Sequence, residues 1–191
     1  MKTVKIILLL AFCSIVICGI VLLAYFHGAV KVAHIPVKTV RAGDIDIAYR
    51  QIGNGHPLIM IMGYGGTMDV WDPTVLRRLS SKYTVIIFDN RGAGKSSDSG
   101  RNFTIELLAD DTARFMDAAG IKRAHVLGYS MGSEIAQELA LRYPEKVDKL
   151  VLYAADFGGT EGLRPAPKVV QMLTDTSGTP KERVERFVRL L

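Results

Sequence analysis

Four short apolar runs, at 58–62, 84–88, 124–128 and 149–154, are separated by helical patterns, and this alternation leaves few folds open to the chain. A continuous apolar run of five or so residues reads as a strand buried on both faces of a parallel sheet. Between the first two runs, residues 71–81 read as a helix with Val75, Leu76 and Leu79 on one face. Thr104 is a good N-cap for a second helix reaching Ala119, with Ile105, Leu108, Thr112, Phe115 and Ala119 at three- and four-residue spacing. Gly120 ends it. A third helix, 131–143, is stopped by Pro144. Ahead of these units, 37–41 and 45–50 flank Ala42-Gly43-Asp44 and read as a β-hairpin. The pattern predicts an α/β fold built on a mainly parallel, doubly wound sheet of six strands. Past Gly158 the glycines and prolines signal loops, with short amphipathic helices expected at 169–173 and 182–191.

The N-terminus is different in kind. Residues 6–26 are apolar except for Ser14 and carry no charge. As a helix they would span about 32 Å, close to the ~30 Å hydrocarbon core of a bilayer. Lys2 and Lys5 precede the run. An uncleaved anchor is the leading expectation. A cleaved signal has a shorter apolar core and a small-residue cleavage site, and a buried soluble helix is the third alternative. Net charge is +5, but Lys and Arg are scattered among acids, which argues against a nucleic-acid surface. Cys13 and Cys18 both lie within the hydrophobic run, so the globular part carries no disulfide framework.

Three glycine-rich segments follow the apolar runs. Gly128-Tyr129-Ser130-Met131-Gly132 sits between a strand and a helix, where G-x-S-x-G forms a nucleophile elbow. A serine on so tight a turn takes strained backbone angles, so its neighbours must be small. The turn lifts the hydroxyl above the sheet and puts the Met131 N–H at a helix N-terminus, where developing negative charge is stabilised. Met62-Gly63-Tyr64-Gly65-Gly66 follows the first run, where the Tyr64 N–H is the expected second oxyanion donor. Asp89-Asn90-Arg91-Gly92-Ala93-Gly94-Lys95-Ser96 ends in Gly-Lys-Ser and invites a phosphate-loop reading. Asp89 stands where that motif needs glycine, and a loop follows instead of a helix, so nucleotide binding is set aside.

In this order and on these strands, the three segments resemble the α/β-hydrolase superfamily over about residues 38–160. More narrowly they resemble its lid-bearing branch of esterases, epoxide hydrolases, haloperoxidase-like and carbon–carbon-bond hydrolases. The resemblance implies acyl transfer from Ser130, since branches that open epoxides or remove halide use Asp there. Met62 departs from the usual His of the oxyanion loop. The superfamily orders its triad Ser, acid, His, yet the four histidines here, His27, His34, His56 and His125, all precede Ser130. His125 lies a strand's length below Ser130, and His56 at the opposite end of the sheet from it. Asp156, just past the fourth apolar run, is a weak candidate for the acid, because most relatives place theirs one strand later. Asp89 and Arg91 are expected to organise their loop.

The implied organisation is an anchor or signal at 1–26, a linker at 27–36, the front of a hydrolase core at 37–160 and the start of a helical lid at 161–191. The sheet is expected to be truncated after its sixth strand, with roughly 80–120 further residues carrying the acid and His. The expected function is hydrolysis of a small ester, thioester or similar carbonyl substrate, with no cofactor and no metal. The partners are a small acyl substrate and a membrane, on its extracytoplasmic face, or secretion if the N-terminus is cleaved. The alternative is a non-catalytic binding or scaffold protein on the same fold.

Overall fold

The computed structural model describes residues 34–155, 166–175, 177–179 and 181–182. The predicted span at 6–26 and most of the predicted helix at 182–191 lie outside the described residues. Among the described residues no helix is long and apolar enough to cross a membrane.

The chain divides into two compact units, residues 1–155 and 156–191. The first holds a six-stranded sheet: β1 (Lys38–Ala42), β2 (Ile45–Ile52), β3 (His56–Ile61), β4 (Tyr83–Phe88), β5 (Ala124–Tyr129) and β6 (Val147–Tyr153), in the order β1-β2-β4-β3-β5-β6. β4, β3, β5 and β6 are parallel, while β1 pairs antiparallel with β2, and β2 with β4. The sheet is therefore mixed. Among its described residues the unit also holds three α-helices: α1 (Pro73–Ser80), α2 (Ile105–Ala118) and α3 (Met131–Arg142).

Local chemistry accounts for the boundaries. Gly43 takes φ +64° in the β1–β2 turn, a conformation that costs glycine nothing. α1 starts two residues later than its apolar pattern, because Asp72 caps it by accepting from the N–H groups of Thr74 and Val75, with Pro73 at the first position. Thr104 caps α2 by accepting from the Leu107 N–H at 3.1 Å. β3 begins at His56, inside the predicted loop, since parallel pairing with β4 extends to Tyr83.

Alternation along the strands loads both faces of the sheet. Ile59, Ile61, Phe88 and Val126 pack with Leu108, Phe115, Ile135 and Leu139 of α2 and α3. Leu58, Met60, Val85 and Ile87 pack on the other face with Leu76 of α1 and Met68. The crossover through α1 takes the chain from β3 to one side, and the crossover through α2 brings it back to the other. β3 and β5 thus flank a topological switch point, where open α/β sheets place their sites beyond the strand C-termini. In the second unit α4 (Pro167–Thr174) carries Pro167 in its first turn.

Candidate active site

Ser130 occupies the turn from β5 into α3 with φ 54° and ψ −126°. Only one other non-glycine among the described residues, Ala154, has a positive φ. Such an angle is costly for a residue with a Cβ and is kept only where packing imposes it. The imposing contacts are present. The Ser130 N–H donates to the Tyr153 carbonyl at 3.0 Å, and the Ser133 N–H donates to the Ser130 carbonyl at 2.7 Å. The buried Ser133 hydroxyl lies 2.8 Å from the Gly128 carbonyl and 3.0 Å from that of Tyr153, so it fastens α3 to two strand ends. A Cβ at Gly128 would stand 2.2 Å from the Gly132 carbonyl, and one at Gly132 would stand 2.2 Å from that of Ile61. Both glycines are fixed by backbone crowding.

The loop after β3 meets this turn. A Cβ on Gly63 would come within 2.9 Å of the Ser130 Cβ and 3.4 Å of its Oγ. The Gly63 backbone therefore lies against the hydroxyl, and the Tyr64 N–H is the next donor along the chain. Consecutive side chains stake both ends of the loop. Asn90 Nδ2 donates to the Met62 carbonyl at 2.9 Å, and Asp89 Oδ1 accepts from the Met68 N–H at 2.7 Å. Met131 opens α3, and first-turn N–H groups have no intrahelical acceptor. Ser130, Gly63 and the starts of Tyr64 and Met131 are thus assembled at one point. Asp156 lies outside the described residues.

The Gly-Lys-Ser segment serves this scaffold. Asp89 Oδ2 accepts from the Lys95 N–H at 2.8 Å and fills the space inside the turn, 2.2 Å from where a Gly94 Cβ would stand. Arg91 is buried and forks onto Asp111 at 2.7 and 2.8 Å, with a further bond to Asp44 at 2.8 Å. Hydrogen bonds from Asp111 and then Asp44 outweigh burial and raise the guanidinium pKa. In return Arg91, then Ser99, hold the Asp44 carboxyl well below the usual carboxylate range.

Aromatic rings border Ser130. Tyr129 stacks on Tyr153 with centroids 5.4 Å apart, and Trp71 meets Tyr129 edge-on at 6.3 Å. Neither this border nor the roles of Ser133 and Asn90 was read from the sequence. Ser133 carried one usable signal, a small hydroxyl residue in the first turn of the elbow helix. His56 and His125 lie where the strand reading puts them, at the end of β3 and β5 away from Ser130. They also meet there, with ring centroids 4.4 Å apart.

A six-stranded α/β sheet whose strand ends carry a strained serine against a glycine loop defines a class, and the chain belongs to it: residues 56–189 match the alpha/beta hydrolase fold family. A protein of Azorhizobium caulinodans provisionally named carbamate hydrolase RutD is 38% identical over 110 residues, which are 58% of this chain and 41% of that protein. Among solved structures, an alpha/beta hydrolase fold protein from Chitinophaga pinensis matches with TM-score 0.64 and 32% identity, over 69% of this chain and 48% of that one. A membrane phospholipase A matches with TM-score 0.61 and 32% identity, over 80% of this chain and 51% of that one. The chain spans less than half the length of the curated relatives it matches.

Proposed function

We propose that this chain is the front part of a serine hydrolase that acts on a small ester, thioester or similar carbonyl substrate. The observation that carries the reading is the strained backbone of Ser130 with Gly63 packed against its Cβ and Oγ. Ser130 Oγ attacks the acyl carbon, and the carbonyl oxygen gains negative charge as the tetrahedral intermediate forms. The N–H groups of Tyr64 and Met131 receive that charge, and such preorganised donors are worth about 10²–10³ each in rate. The proton of Ser130 goes to a histidine base oriented by an acid. No histidine follows Ser130 within residues 131–191, so the reading takes the base from a longer form of the protein, and the acid from the same region or from Asp156. The names carbamate hydrolase and phospholipase A, borne by similar proteins, both denote chemistry at an acyl carbonyl.

Fluorophosphonate labelling tests the assignment. Loss of a triad base costs on the order of 10⁶ in turnover, with roughly 10³–10⁴ over water left to the oxyanion donors. The 191-residue chain therefore labels only in trace, while a longer form carrying acid and His labels readily and loses that label on Ser130→Ala. Undiminished labelling of the Ser130→Ala form removes Ser130 as nucleophile and leaves a binding role for the fold.

Residues 6–26 anchor the protein in a membrane with its hydrolase unit on the extracytoplasmic side. Their deletion should release the protein from the membrane pellet. Recovery of the intact chain in the soluble fraction, its N-terminus uncut, overturns the anchor.

A further inference from the structure

Three side chains at the end of the sheet away from Ser130 form a second polar cluster. His56 is the first residue of β3, His125 the second of β5 and Asp148 the second of β6. These strands are neighbours in the sheet. One ring nitrogen of each histidine and one carboxylate oxygen of Asp148 all lie within 4.8 Å of one another. We propose that His56, His125 and Asp148 bind a divalent transition-metal ion of the Zn²⁺ type, clipping three parallel strands together at their N-terminal ends.

The placement of Asp148 is built into the ladder. β5 pairs Ala124 with Val147 and then His125 with Lys149, so the register passes over Asp148 as the extra residue of a bulge. Bulges re-aim a side chain that regular pairing would send elsewhere. The Asp148 carboxylate is then divided between two tasks. Its Oδ1 forms an ion pair with Arg123 Nε at 2.7 Å, while Oδ2 faces His56 Nε2 at 2.6 Å. An outer partner that fixes one oxygen and leaves the other toward the ion is a regular feature of metal sites.

The histidines supply the second observation. His125 Nδ1 is buried and has no hydrogen-bond partner among the described residues. Two imidazoles and one carboxylate are a donor set for Zn²⁺, Co²⁺, Ni²⁺ or Cu²⁺, and a poor one for Mg²⁺ or Ca²⁺. His56 has 44% of its side chain exposed, and it lines an open cleft of about 500 Å³ with Gln51, Thr84 and Arg123. The cluster is therefore open to solvent on the His56 side. Five residue steps lead from His125 to Ser130, about 17 Å at strand rise, so the ion acts on the stability of the sheet and not on the reacting serine. The site therefore stands independently of the hydrolase reading.

The test is metal binding to the full chain in detergent after chelator treatment at pH 7.5. Titration with Zn²⁺ by calorimetry is expected to saturate at one equivalent and to raise the thermal midpoint, and Co²⁺ is expected to give the intense visible bands of four-coordination. His56→Ala, His125→Ala and Asp148→Asn should each weaken Zn²⁺ at least about tenfold, and Mg²⁺ should not compete. A His27→Ala/His34→Ala control should leave the affinity unchanged. Absence of saturable Zn²⁺ binding overturns the site. So does an affinity unaltered by His56→Ala, a half-exposed position where circular dichroism can verify that the chain still folds.

Discussion

Arg91 shows at single-residue scale how a motif side chain can be structural. Its guanidinium is buried, with the buried Asp111 on one side and the half-exposed Asp44 on the other. Removing one partner of such a buried pair leaves an unpaired charge and costs about 3–5 kcal/mol. The pH dependence follows from Asp44, whose pKa is depressed in the folded state by Arg91 and Ser99. The unfolded chain takes up the Asp44 proton near pH 4 while the folded chain still resists it. The contribution to stability is complete above about pH 4 and declines as pH falls below it toward the lower folded value. Urea midpoints measured from pH 6 down to pH 3 should fall in the parent and fall less steeply in Asp44→Asn. Parallel slopes would show that Asp44 does not carry the acid sensitivity.

At the scale of elements, α2 illustrates how one cap sets the position of a whole helix. Thr104 lies in extended backbone and its hydroxyl oxygen accepts from the Leu107 N–H, so the helix begins one residue later. The buried face that follows, Leu108, Thr112 and Phe115, packs against the sheet. Thr104→Ala should lower the unfolding free energy by about 1 kcal/mol, and Thr104→Asp should recover most of it. Chemical denaturation checks both, and equal midpoints for Thr104→Ala and the parent would refute the cap. The elbow obeys a different rule. α3 has no side-chain cap from Ser130, and Ser133 fastens its start to the ends of β5 and β6 instead.

Across the whole molecule the unbalanced feature is β6. It is an end strand of the sheet, and Leu150, Val151, Leu152 and Tyr153 are all more than a third exposed. A long apolar edge with open N–H and C=O groups is a template for association with another chain. The 191-residue chain should aggregate through this edge, and Val151→Lys should slow the growth of light scattering at equal concentration. Equal rates would place the sticky surface elsewhere. The proposed continuation of the chain beyond β6 would cover the same edge and complete the catalytic machinery.

The apolar runs and the helical spacings determined the element order without any coordinates, because a strand buried on both faces and a one-sided helix leave different periods in sequence. The glycine-flanked Ser130 was legible for a similar reason, since a Cβ at Gly128 or Gly132 would stand 2.2 Å from a backbone oxygen. Contacts across long sequence separations leave no period. The pairing of Arg91 with Asp44 and Asp111, the staking of the Met62 loop by Asn90, and the seating of Gly63 against Ser130 all depend on strand order. The meeting of His56 with His125 was hidden by the same limit. They stand 69 positions apart, and only the parallel register of β3, β5 and the bulged β6 brings them to Asp148. Local periodicity fixed which segments became strands and helices. Sheet topology decided which side chains share a site.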